Sequence, residues 1–176
     1  MPVTRAEEWE GALAEFLEDY RYQRELTVHL DGLGSQPFAQ DVINEIVLWK
    51  VNRYAKLSPS ALEALNSVTD TQAKSHRTAR AALTTLLREP GVDLAMASTF
   101  LRFRNRQAFQ IIDRHAYRAL YGEDYPLHSG SSDDAKIDLY FLYLDGLFAF
   151  ADSKKVDFTI LDRALYVFDK QVNGKL

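Results

Sequence analysis

The stretch from Arg88 to Tyr121 constrains this chain more than any other: REPGVDLAMASTFLRFRNRQAFQIIDRHAYRALY. Pro90-Gly91-Val92-Asp93 reads as a tight hairpin between helices, because glycine accepts backbone conformations that other residues avoid. Leu94 to Phe103 follows as an apolar helix, with Ala97 and Ser98 small enough to let a neighbour approach closely. Phe109-Gln110-Ile111-Ile112 is a short extended passage. Asp113, a favoured N-cap, then opens another helix.

The remaining chain also reads as helical. Thr4 to about Leu30 carries Trp9, Leu13, Phe16, Leu17 and Tyr20 at helical spacing, with Thr4 and Glu7 placed as a capping box. Two glycines, Gly32 and Gly34, terminate it; no strand precedes them, so they do not form a phosphate cradle. Asp41 to Tyr54 is apolar on more than one side, as a central helix would be. Ser58-Pro59 is an N-cap followed by a proline at the first helical position. Thr71 to Arg88 is expected as one helix, with Lys74, Arg77 and Arg80 on its exposed side. Leu127 to Asp134 reads as a polar loop, and Ala135 to Asp152 as an apolar helix too interrupted by acids to span a bilayer. Asp157 or Thr159 opens a last helix in which Leu161, Leu165, Val167 and Phe168 are expected to face inward. There is no β alternation, repeat or second domain to be read. The expectation is a single all-α domain, a compact multi-helix bundle over residues 1–176.

At 176 residues and 47% hydrophobic content, the chain is long enough to bury a real core. It has no cysteine, which excludes disulfides, thiolate nucleophiles and cysteine-held iron-sulfur clusters. Its four histidines show no metal-ligand spacing. No segment resembles a signal peptide or a membrane span, so a cytoplasmic protein with no cofactor and no metal is expected.

Net charge is −4, unfavourable to a general nucleic-acid binder, but the charge is unevenly placed. Between Thr71 and Arg118, nine basic residues stand against three acids; that segment carries +6 and the rest of the chain −10. A basic centre of this kind can focus an anionic ligand. Equally, it can be a set of solvated helix faces. Trp49, Lys50 and Arg53 are pocket candidates on the second helix, where Trp49 can stack on a base and the cations can hold a phosphate. The alternative is a core tryptophan beside snorkelling cations. Asp113 has a similar double reading, as a cap worth about 1 kcal/mol or as a functional carboxylate.

The stretch from Arg88 to Leu120 resembles the helix-hairpin-helix DNA glycosylase superfamily, which includes endonuclease III and the 8-oxoguanine glycosylases. Pro90, Gly91, Val92, Ala97, Ile112, Asp113, His115 and Arg118 fall in register with its hairpin, small-residue helix and aspartate. The resemblance implies a double-stranded DNA substrate from which a damaged or mispaired base is flipped and its glycosidic bond cleaved. Asp113 would be the catalytic carboxylate. Main-chain amides at Gly91 and Val92 would grip the DNA backbone, Arg102, Arg104, Arg106 and Arg114 would add phosphate contacts, and His115 would stand near the pocket. Two positions depart from the pattern. Asp93 replaces the second hairpin glycine, putting negative charge where a phosphate should bind. Ala95 stands where bifunctional members carry a Schiff-base lysine, so monofunctional hydrolysis is implied. The alternative is a non-catalytic relative that binds DNA or a protein partner.

Overall fold

The computed structural model describes residues 23–34, 37–51, 55–128 and 130–174. Those residues hold eight α-helices and no strand. None of the helices is long and apolar enough to cross a membrane. The chain divides into two compact units, residues 1–54 and 55–176.

In the first unit, α1 (Arg24–Asp31) and α2 (Gln40–Lys50) form an antiparallel pair. Gln23, with a left-handed φ of 43°, precedes α1. The expected helix from Thr4 is therefore represented only by its last turns, and residues 4–22 lie outside the described residues. The indole N–H of Trp49 donates to Thr27 Oγ1 at 2.8 Å, and His29 Nε2 lies 3.1 Å from Glu45 Oε2. No residue of α2 is buried, and Ile43, Val47 and Leu48 are exposed, unlike the expected central helix.

The second unit contains α3 (Pro59–Ser67), α4 (Arg80–Leu87), α5 (Leu94–Arg104), α6 (Arg114–Tyr121), α7 (Asp133–Lys154) and α8 (Leu161–Val172). Side-chain caps start four of them: Ser58 accepts from Ala61 N, Asp93 from Leu94 N, Asp113 from Ala116 N and Ser132 from Ala135 N. Helix α7 is the axis. Its residues Ile137, Tyr140, Phe141, Leu144, Leu147, Phe148 and Ala151 are buried at intervals of three and four, and it meets α4, α5 and α6. At Gly146 a Cβ would lie 2.6 Å from the Tyr121 hydroxyl, so glycine leaves room on α7 for the Tyr121 ring, whose Oη donates to the Leu142 carbonyl.

The long helix expected from Thr71 is shorter. Lys74 has a left-handed φ of 65°, His76–Ala79 is a 3-10 turn, and α4 begins only at Arg80. The cause is tertiary. The Asn105 side-chain amide, at the end of α5, is 2.9–3.1 Å from the carbonyls of Val68, Thr69 and Thr71 and holds that loop open. Helix α8 buries Leu161 and Leu165 as expected, but together with Asp162 and Asp169; Val167 and Phe168, also expected inward, are each 48% exposed.

Candidate active site

The hairpin forms as its residues dictate. Gly91 has a φ of 78°, and the Val92 amide closes the turn on the Glu89 carbonyl at 3.1 Å. Glu89 in turn accepts from both the backbone and the hydroxyl of Ser58, fastening the hairpin to the start of α3.

The extended passage after α5 is unusual because it is buried. Ala108, Phe109, Gln110 and Ile112 are each at most 1% exposed. Backbone polar groups in such a place need partners, and three helices supply them. Tyr140 Oη donates to the Gln110 carbonyl at 2.9 Å, and Tyr143 Oη to the Ile111 carbonyl at 3.0 Å. The Ile112 amide donates to Ser98 Oγ at 3.2 Å, while Ser98 donates to the Ala95 carbonyl. A longer contact of 3.5 Å joins the Ile111 amide to Asp162. This harness fixes where Asp113 emerges.

Asp113 emerges into a cavity of about 480 Å3, lined by Asp93, Leu94 and Ala95 from the start of α5, Ile112, Asp113 and Arg114 from the start of α6, Tyr125, Leu127 and His128 from the following loop, and Lys136 from α7. That volume is typical of small-molecule sites. Burial pushes the Asp113 carboxyl above the usual carboxylate range, against the opposing pull of the Ala116 and His115 amides. Tyr125 is pushed up to about 12, chiefly by burial, so it presents a phenolic O–H donor. A carboxylate that has lost part of its hydration is a strong partner for positive charge developing opposite it. Among the described residues no cluster of three or more histidines and acids stands ready to hold a metal ion.

Of the residues singled out from sequence, Asp113 and Arg114 meet at this cavity. Gly91 is exposed on the hairpin, whereas the Val92 side chain is buried and its amide is already engaged in the turn, so Val92 is not a free phosphate donor. Arg102 is corrected more firmly. It is 7% exposed, its Nε lies 3.4 Å from the buried Asp162, and it cannot also meet a phosphate. Arg104 is half-buried with its Nε unpartnered, and Arg106 is exposed. His115 does not line the cavity; its Nδ1 lies 2.6 Å from Asp169 Oδ2. Trp49 and Lys50 belong to the other unit, and Arg53 lies outside the described residues.

Lys136, Tyr125 and His128 were not marked by any local motif. One signal existed for Lys136: it sits four and seven residues before Tyr140 and Tyr143, a lone cation on their stripe. The basic centre also changes meaning. Lys74 pairs with Asp152, Arg77 with Asp145, and Arg80 with Asp134 and Asp138, all on α7. Arg118 pairs with Asp169 on α8. Much of the segment's positive charge is thus consumed within the fold. No protein-family model matches the chain, no curated protein matches it, and no solved structure matches it.

Proposed function

We propose that this protein is a monofunctional base-excision hydrolase, acting on the N-glycosidic bond of a base flipped from double-stranded DNA, with Asp113 as its catalytic carboxylate. One observation carries the reading: the partly desolvated Asp113 carboxylate opens onto the same cavity as the first turn of the hairpin helix. A base and its sugar fit a cavity of this size. As the bond from C1′ to the base breaks, positive charge grows on the sugar, and the ionised Asp113 stabilises it. Water then supplies a hydroxyl to C1′ and a proton to the departing base, so neither a cofactor nor a metal enters the balance. Arg114, exposed at the cavity wall, is the arginine best placed for the DNA backbone.

The test is release of free base from duplexes carrying a panel of lesions. Asp113→Asn keeps an N-cap and is expected to lower release by at least about a hundredfold, the scale of a lost electrostatic group. Equal release by both proteins would overturn the assignment.

A second reading, non-catalytic binding of a protein partner, is favoured by the internal pairing of Lys74, Arg77, Arg80, Arg102 and Arg118, which leaves few cations for phosphates. Copurification of one stoichiometric protein partner, with no duplex bound and no base released, would support it.

A further inference from the structure

The cavity contains a charged pair that the proposed hydrolysis does not use. Lys136 Nζ lies 2.9 Å from Asp93 Oδ1, and the two partners differ sharply in environment: the lysine side chain is 12% exposed and the aspartate 60%. We propose that Lys136 marks a phosphodiester subsite and that Asp93 is its displaceable internal counter-ion. The inference rests on the reading of this cavity as a place for a nucleotide unit.

Three features support it. A lysine drawn this far into a wall needs an anion beside it. Its present partner, however, stands on the solvated rim, where an ion pair is worth little and exchange costs little. Secondly, the same Asp93 Oδ1 also accepts from the Leu94 amide at 2.7 Å. Turning that one side chain outward releases both donors together. Finally, the charges balance. Lys136 and Arg114 face Asp93 and Asp113 across the lining, which is therefore neutral with Asp93 turned in. With Asp93 turned out, the lining carries one net positive charge, the complement of a phosphodiester. Asp113 then remains to face the adjoining sugar. Asp93 thus restrains phosphate binding from within the chain, and its replacement should strengthen that binding.

Asp93→Asn separates the charge from the cap, since asparagine caps a helix as well as aspartate does. The full-length protein is titrated by NMR with a thymidine dinucleotide, which carries one phosphodiester, with thymidine and inorganic phosphate as controls. The dinucleotide is expected to shift the Leu94 and Lys136 signals and to bind more tightly than either control. Asp93→Asn should tighten binding about tenfold, Lys136→Gln should weaken it about tenfold, and Lys136→Arg should retain it. Unchanged affinity in both Asp93→Asn and Lys136→Gln overturns the subsite, as does a control that binds as tightly as the dinucleotide. These outcomes are independent of base release: Asp113→Asn alone tests the hydrolytic reading, and the Asp93 and Lys136 variants alone test the subsite.

Discussion

Asp169 is the residue whose loss the fold should feel most. It is fully buried, and its carboxylate receives Arg118 at 2.8–3.2 Å, Asn173 at 2.8 Å and His115 at 2.6 Å, binding α6 to α8. The Arg118 guanidinium is the main cause holding its carboxyl well below the usual carboxylate range. The sign follows. Its stabilisation is complete above the unfolded carboxylate value of about 3.9 and is lost as pH falls from there through the depressed folded value. Asp169→Ala should lower stability by roughly 3–5 kcal/mol in urea unfolding at neutral pH, because it strands a charged partner, and the variant should lose part of the acid transition below about pH 4. His76 works in the opposite chemical sense. It is 1% exposed, sits between Phe141 and Phe148, and is held below its ordinary value by burial, with Asp145 opposing. Asp145 lies 3.2 Å from Nε2. The unfolded chain therefore takes up this proton first, and stability should fall as pH drops below about 6.5. His76→Phe should flatten that part of the stability curve; an unchanged slope between pH 7 and 5 would show that His76 does not cause it.

The buried passage of residues 109–112 ties the hairpin helix to Asp113. Ser98 joins the Ala95 carbonyl, on one cavity wall, to the Ile112 amide, on the other. Ser98→Ala leaves that amide buried without a partner, so a loss of about 1–3 kcal/mol is expected in chemical unfolding. A loss below about 0.5 kcal/mol, the level of an ordinary surface substitution, would mean the strut is dispensable. Elements whose ends are written locally were legible in the sequence. Ser58-Pro59, Asp93 and Asp113 sit at the starts of α3, α5 and α6. Elements governed from a distance were not. The 71–79 segment has helical composition, but Asn105 claims its neighbouring carbonyls from the far end of α5. In α8, hydrophobicity alone assigns Phe168 to the interior, yet the inward position next to it is held by Asp169, whose partners come from α6. Of the candidate site, Asp113 and Arg114 were readable because they belong to the helix start itself; Lys136 and Tyr125 were not, because only the fold brings them there.

For the second unit as a whole, charge is organised by pairing between helices rather than displayed as a basic face. Lys74, Arg77 and Arg80 run alongside acids of α7, and Arg102 and Arg118 are spent on acids of α8. Sequence alone gave their sign but not their partners, which lie 51 to 78 residues away. Of the nine basic residues between Thr71 and Arg118, Arg88, Arg104, Arg106 and Arg114 remain without a carboxylate within ion-pair distance among the described residues. With Lys136 counted as a fifth phosphate contact, duplex binding should weaken with salt at a logarithmic slope no steeper than about −4 to −5. A slope near −9 would require the paired cations to open. Base release that depends on Asp113 is the most direct test of the proposed hydrolysis. Incubated with the same panel of lesion-bearing duplexes, the wild-type protein should liberate a free base from at least one, and folded Asp113→Asn should do so at least about a hundredfold more slowly. Base release by Asp113→Asn at the wild-type rate, or none from any duplex by the wild-type protein, would contradict it.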